Sequence, residues 1–205
     1  MNEIVYFAVC DTLADWEIGY AMANIANPDH QNRPGRYTVR TVGTGPEPIT
    51  TMGGLRIVPD VTLDAVDPAT SAMLVLPGNN IWPTDAFTPF TDAARAFLAS
   101  GVPVAAICGA TGGLARAGLL DDRAHTSNAP EFLNEIGYGG AHLYRDEPAV
   151  VDGDLVTASG IAPVDFARAI FERLDLYPPE VLTAWYKLYG EHDPSGYYEL
   201  TADEG

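Results

Sequence analysis

The sequence predicts an α/β fold in which a mostly parallel sheet is covered by helices on both faces, and three observations predict it. Ile4 to Val9, Ala72 to Leu76 and Val102 to Ile107 are short apolar runs without polar alternation, the pattern of strands buried on both faces. Helical segments alternate with these runs, as the crossovers of a parallel sheet require. No internal repeat or low-complexity linker interrupts the 205 residues, a length that one domain can account for.

Each element follows from local chemistry. After the first strand, Thr12 is placed to cap a helix that begins near Leu13 and runs to Pro28, with Asp15 in its acidic first turn. Tyr37 to Val42 reads as the second strand. Gly53-Gly54 with Leu55 to Val58 reads as a hairpin or a bulged strand. Ala72 to Leu76 stops at Pro77-Gly78, Thr91 to Leu98 is helical, and Val102 to Ile107 is the next buried strand. A helix over Ala110 to Leu120 follows almost without a loop. Arg123 to Ser127 fits a short strand and Pro130 to Ile136 a helix. Ala149–Val151 and Leu155–Thr157, joined through Asp152-Gly153-Asp154, make a hairpin. Helices over Pro163 to Leu174 and Pro178 to Tyr189 complete a domain of residues 1–190. Residues 191–205 read as an acidic, loosely held tail or an oligomer contact.

Composition narrows the partners. The net charge is −17, with 28 acidic residues against 11 basic ones, of which Lys187 is the only lysine. Such a field repels nucleic acid and anionic membrane surfaces, so neither is expected as a partner. No apolar run reaches the roughly 18–20 residues that span a bilayer, and the N-terminus lacks the basic region of a secretion signal. A cytoplasmic protein is the expectation. Two cysteines, Cys10 and Cys108, give neither a disulfide framework nor metal-ligand spacing. Each is a packed apolar residue or a reactive thiol.

The neighbourhood of Cys108 favours the second. In Pro103-Val-Ala-Ala-Ile-Cys108-Gly-Ala-Thr-Gly-Gly113 a buried strand ends, a cysteine occupies the turn, and small residues open a helix. This is the strand–elbow–helix arrangement that lifts a nucleophile above a sheet. The helix N-terminus favours a thiolate there. Strand 72–76 also ends in a tight turn, Pro77-Gly78-Asn79, on the same carboxyl edge, where parallel sheets bind ligands. Amides of Gly78, Asn79 and Gly109 are candidates for holding an oxyanion. Asp15-Trp16-Glu17 lies beyond the end of the first strand, so a carboxyl from this segment can reach the crevice; the alternative is ordinary first-turn acidic charge, which suits Asp15 better than Glu17.

These segments together resemble the ThiJ/PfpI superfamily, the class I glutamine amidotransferase-like group. The Ala-Ile-Cys-Gly elbow, the later Gly-Leu-Leu-Asp-Asp-Arg stretch, the Pro-Gly turn and Leu-Val-Thr-Ala-Ser-Gly-Ile-Ala-Pro at 155–163 carry the resemblance. It implies a flavodoxin-like three-layer sandwich, usually dimeric, with Cys108 as nucleophile and Glu17 as its carboxylic partner. The chain departs from the pattern twice. Pro-Gly-Asn stands where many members have Pro-Gly-Gly, and Asn128 stands where many have a histidine. Asn128 can hydrogen-bond a substrate but cannot shuttle a proton at neutral pH. His125 is the other candidate acid–base group, although its odd offset along a regular strand points it to the opposite face. His30, His142 and His192 have no supporting motif.

The function expected from this resemblance is a cofactor-independent, cysteine-dependent hydrolase or hydro-lyase acting on a small electrophile: an isocyanide, an α-oxoaldehyde or a C–N bond. No metal is expected. The competing reading is a non-enzymatic stress-response or redox-sensing protein that uses an oxidisable Cys108. A true glutamine amidotransferase would need a distal histidine–glutamate pair and a synthetase partner. Glu191-His192 lies in the wrong order and context for that, and nothing in the sequence indicates a peptide-binding groove.

Overall fold

A computed structural model describes residues 3–202. The elements run β1 (Glu3–Ala8), α1 (Asp15–Ala26), β2 (Tyr37–Gly43), β3 (Ile49–Thr50), β4 (Arg56–Ile57), β5 (Val61–Thr62), β6 (Ser71–Leu76), α2 (Thr88–Ala99), β7 (Val104–Ile107) and α3 (Gly109–Arg116). They continue with α4 (Pro130–Asn134), β8 (Ala149–Asp152), β9 (Leu155–Ala158), α5 (Pro163–Leu174), α6 (Pro179–Tyr189) and α7 (Ser195–Thr201).

Seven strands form one sheet in the order β5-β2-β1-β6-β7-β9-β8, parallel except where β8 closes the edge against β9. Helices α1 and α5 pack together on one face, and α2 and α3 on the other. This is the predicted flavodoxin-like sandwich. The apolar runs fill its centre: Val5, Phe7, Leu74, Val75, Leu76, Val104 and Ile107 are fully buried. Phe90, Phe97, Phe166 and Phe171 pack onto the sheet from the helices, each burial stabilising the fold by roughly 1.5–3 kcal/mol. From β1 the chain moves outward to β2, and β6 returns on the other side of β1. The carboxyl ends of β1, β6 and β7 therefore border the switch point, where such sheets leave a crevice.

Four elements differ from the sequence reading. Thr12 does not cap α1. It sits at φ 63°, its hydroxyl accepts the Asn80 N–H at 2.9 Å, and Ala14 takes the cap position without a side-chain bond. The third-quarter strand over 123–127 reduces to a single bridge between His125 and Tyr144. Side chains claim the amides a ladder would need: Asp152 accepts from Ala124 N–H and Thr157 from Thr126 N–H. Helix α3 ends at Arg116, short of the expected Leu120, because Gly118 turns the chain at φ 71°. Beyond Glu191 the chain forms α7, docked on α6. Lys187 binds Glu199 at 2.6 Å, and Gly196 lies directly against the Ala184 carbonyl, too close for any side chain.

The hairpin at Gly53-Gly54 is β3–β4, paired Ile49 to Ile57 and Thr50 to Arg56. It is sewn to the start of α1 by Thr12 N–H to Thr50 O at 2.8 Å, Met52 N–H to Leu13 O at 2.9 Å and Gly53 N–H to Asp15 Oδ2 at 2.7 Å. Asp15 is therefore a hairpin anchor. Bonds from the Thr51 side chain and the Gly53 amide hold its carboxyl below the ordinary value.

Candidate active site

Cys108 occupies the junction of β7 and α3 at φ 58°, ψ −126°, a region L-residues rarely adopt. The strand forces this elbow. Cys108 N–H still donates to Ala158 O at 3.0 Å as the last rung to β9, while its carbonyl already accepts Thr111 N–H at 3.1 Å as the first turn of α3. The chain must reverse within one residue, and the half-buried side chain is thrown clear of the sheet.

Two glycines let neighbouring segments close around it. A Cβ on Gly78 would lie 2.6 Å from Glu17 Oε2 and 2.8 Å from both Glu17 Oε1 and Cys108 Cβ. A Cβ on Gly160 would lie 2.8 Å from Cys108 Sγ. Neither position accepts a side chain without displacing the sulfur or the carboxyl.

Glu17, fully buried on α1, is the carboxyl that reaches Cys108. Its Oε2 accepts the Gly78 N–H at 2.5 Å, the carboxyl lies within hydrogen-bonding reach of the Cys108 thiol, and the buried Oε1 is claimed by no other group among the described residues. Burial pushes its pKa from 4.5 up to about 7, against the opposing pull of Cys108 and the Gly78 amide. This placement corrects one expectation. Gly78 does not offer its amide to an oxyanion, because that amide is spent on Glu17. The amides left for the role are those of Asn79 and Gly109. The Asn79 side chain is folded back into the turn, donating to Pro77 O at 3.0 Å and accepting Ile81 N–H at 3.1 Å.

The sulfur itself differs from the expected resting thiolate. Burial, and then the nearby Glu17 charge, raise the Cys108 pKa above its ordinary value, although Asn128 and the Gly109 N–H pull the other way. The helix N-terminus is present, but a single amide does not outweigh desolvation plus a neighbouring carboxylate. Cys108 and Glu17 thus compete for one negative charge.

Asn128 faces the site and His125 does not. Gly160 N–H donates to Asn128 Oδ1 at 2.9 Å, which fixes the amide so that Nδ2 donates to Cys108 Sγ at 3.4 Å. Trp16 Nε1 in turn donates to Gly160 O at 3.3 Å and ties the start of α1 to this bracket. His125 is fully buried, with Nδ1 on Arg123 O at 2.7 Å and Nε2 on Tyr138 Oη at 2.8 Å. Burial lowers its pKa, and neither ring nitrogen is left for proton transfer at the sulfur. The His125→Ala variant is expected to lose about 1–3 kcal/mol in urea unfolding, from the stranded Tyr138 hydroxyl and Arg123 carbonyl, and to keep the wild-type alkylation rate of Cys108. Cys10 is packed in the core, and burial pushes its thiol up to about 12.

One contributor escaped the sequence reading, and a second, Trp82, could be read from it only as either a pocket-shaping aromatic or a core residue. Gly160 follows the buried run of β9 as Gly78 follows β6, so the same signal, a glycine just beyond a strand's carboxyl end, marks it. Trp82 lies over the start of α3, where a Cβ on Gly109 would meet its ring at 2.6 Å, and it stacks edge-on against Phe132 at 5.0 Å. Its spacing carried no signal that distinguished it from core. No group of three or more His, Cys, Asp or Glu side chains among the described residues is placed to hold a metal ion, and none of the described helices is long and apolar enough to cross a membrane.

Comparison with known proteins identifies the family. The DJ-1/PfpI family profile matches residues 3–173. The protein named uncharacterized protease YoaZ, from Bacillus subtilis, is 41% identical over 199 residues, covering 96% of this chain and 95% of that one. A second B. subtilis protein, named uncharacterized protease YdeA, is 33% identical over 175 residues, covering 85% and 84%. Among solved structures, a ThiJ/PfpI family protein from Bacillus anthracis superposes with a TM-score of 0.92 at 39% identity, covering 98% of this chain and 97% of that one. A DJ-1 superfamily protein from Agrobacterium tumefaciens gives 0.80 at 34% identity, covering 93% and 99%. The chain belongs to the DJ-1/PfpI family.

Proposed function

We propose that this protein is a cofactor-independent, cysteine-dependent hydrolase or hydro-lyase acting on a small electrophile. The observation that carries the reading is the buried Glu17 carboxyl, whose Oε1 is claimed by no group other than the nearby thiol, within reach of a cysteine held in a strained elbow. A carboxylate that titrates near 7 is matched to accept a thiol proton at neutral pH and to return it. In the first step Sγ forms a bond to the electrophilic carbon and the thiol proton passes to Glu17. The electron pair of the broken π bond moves to the carbonyl oxygen, which the Asn79 and Gly109 amides hold. With an amide-type substrate the collapse of this adduct expels the amine, which takes the proton from Glu17. Water then cleaves the thioester, with Glu17 as the base. With an α-oxoaldehyde the adduct is a hemithioacetal; Glu17 moves its C1 proton to C2 to give an α-hydroxy thioester, and water cleaves that thioester to the hydroxy acid and the free thiol. With an isocyanide the sulfur bonds to the terminal carbon, which takes the thiol proton through Glu17 to give a thioimidate, and water then displaces the thiol to leave the formamide. The closeness of Gly78 and Gly160 to the sulfur favours small substrates. The protease name of the B. subtilis relatives fits the hydrolytic branch.

The test is the alkylation rate of each cysteine by iodoacetamide against pH, read by peptide mass spectrometry in the wild type and in Glu17→Ala. Cys108 is expected to react while Cys10 stays unmodified, with a rate that climbs through about 7, where Glu17 ionises. In Glu17→Ala the climb should move to the free-thiol range, about 8.5 or above. A slow reaction with the same ordinary profile in both proteins would make Cys108 structural. The redox-sensing reading is favoured by one feature, the convergence of Asn128 Nδ2 and the Gly109 amide on the sulfur, donors suited to sulfinate oxygens. Clean oxidation by peroxide to a stable sulfinate, with no turnover of isocyanides or α-oxoaldehydes, would select it.

A further inference from the structure

Behind the elbow lies a buried polar chain that the reaction above does not use. Thr111, on the first turn of α3, and Ser127, beside Asn128, are almost wholly shielded from solvent. Thr111 Oγ1 donates to the Cys108 carbonyl at 2.6 Å and lies 2.6 Å from Ser127 Oγ. A carbonyl only accepts, so the single Thr111 hydroxyl proton is committed to Cys108 and Ser127 must be the donor in the second bond. The relay runs one way, from Ser127 through Thr111 to Cys108.

We propose that Thr111 and Ser127 are positioning residues, a buried hydroxyl relay that pins the Cys108 carbonyl and thereby turns the Gly109 amide toward the sulfur. The peptide between Cys108 and Gly109 is planar and trans, so its C=O and N–H point in opposite directions. Holding the oxygen down into α3, with both the hydroxyl and the N–H of Thr111, leaves the Gly109 N–H no direction but the site. The same relay steadies the backbone next to Asn128. Its neighbour Ser127 is fixed at one end by Thr111, and Thr126 is fixed by its N–H to Thr157 Oγ1 at 2.9 Å and its hydroxyl to Glu147 O at 2.8 Å. The relay therefore aims the Gly109 amide directly and holds the backbone beside Asn128, whose own amide Gly160 orients. An elbow at positive φ has reason to need this, because relaxing toward ordinary dihedrals would rotate that peptide first.

The proposal rests on reading Cys108 as a nucleophile, and alkylation by iodoacetamide across pH 5–10 separates the two. Thr111→Val keeps the shape and removes the hydroxyl. Its rise is expected to be displaced to higher pH, so that the rate at pH 7 falls about tenfold while the plateau is kept, since a misaimed amide is a partial loss of a thiolate-stabilising donor. Thr111→Ser should restore both the rate and the profile. Ser127→Ala, which leaves Thr111 its bond to Cys108, should lose about threefold, since it loosens the relay without removing its last link. A folded Thr111→Val with the wild-type rate and profile would overturn the relay while leaving the nucleophile reading intact. If Thr111→Val does not fold, Ser127→Ala decides alone, an unchanged profile overturning the proposal. A wild type that alkylates slowly, as an ordinary buried thiol, would overturn both.

Discussion

Glu17→Gln is expected to stabilise the protein at pH 8 by up to about 3 kcal/mol while lowering turnover about 10²–10⁴-fold. The first half follows from linkage. Glu17 titrates near 4.5 when unfolded and near 7 when folded. Below 4.5 it is protonated in both states, and the fold buries a neutral acid. Above 7 it is ionised in both, and the fold must hold a charge in a place without solvent. The contribution of Glu17 to stability is therefore fully present below 4.5 and is lost as pH rises to about 7. Gln keeps an oxygen for the Gly78 N–H and never carries the charge. Urea unfolding across pH 4–8 should show a downward slope between 4.5 and 7 in the wild type that is smaller in Glu17→Gln. The second half follows because Gln cannot take up a proton from the thiol. A variant with wild-type turnover would remove Glu17 from the chemistry; one with the wild-type slope would show that its carboxyl is hydrated in solution.

Cys108 gives the second large effect. Both Cys108→Ala and Cys108→Gly should abolish turnover, yet they should differ in stability by about 1 kcal/mol in favour of glycine, against the usual preference. Alanine keeps a Cβ at φ 58°, ψ −126°, where the strain is roughly 1–3 kcal/mol. Glycine adopts that conformation freely but gives up roughly 0.4–1 kcal/mol through the greater freedom of its unfolded chain. The difference in urea midpoint between the two variants isolates the strain at Cys108. Alanine the more stable of the two would mean that the elbow is relaxed and that its geometry serves only the connection from β7 to α3.

How far the site was legible depended on whether a residue's partner was near in sequence. The elbow was legible because strand, cysteine and small residues are contiguous, and the β3–β4 hairpin because Gly53-Gly54 stands between its strands. Asp15 and Glu17 were not separable from periodicity alone. Two residues apart on a helix they point to nearly opposite sides, so only one can enter the crevice, and the hairpin that takes Asp15 lies 38 residues away. The resemblance to a family supplied Glu17. Gly78 was recognisable as a turn glycine, but its amide meets Glu17 across 61 residues, and no local pattern reports that an amide is already taken. His125 and Asn128 were weighed by strand parity, although side chains from β8 and β9 hold the segment and no ladder does. The tail was judged by its acidity, while its docking depends on Lys187 and on the fit of Gly196 against α6.

The bonds that make the site span long stretches of chain: 61 residues between Glu17 and Gly78, and 144 between Trp16 and Gly160. Closing loops of that length is slow and entropically unfavourable, so these bonds form only after the parallel sheet has brought their ends together. Interactions absent from the folding transition state leave the rate of folding untouched and act on the rate of unfolding. The buried carboxyl is therefore expected to leave the folding rate unchanged and to raise the unfolding rate, which in urea-jump kinetics at pH 8 should be slower in Glu17→Gln than in the wild type.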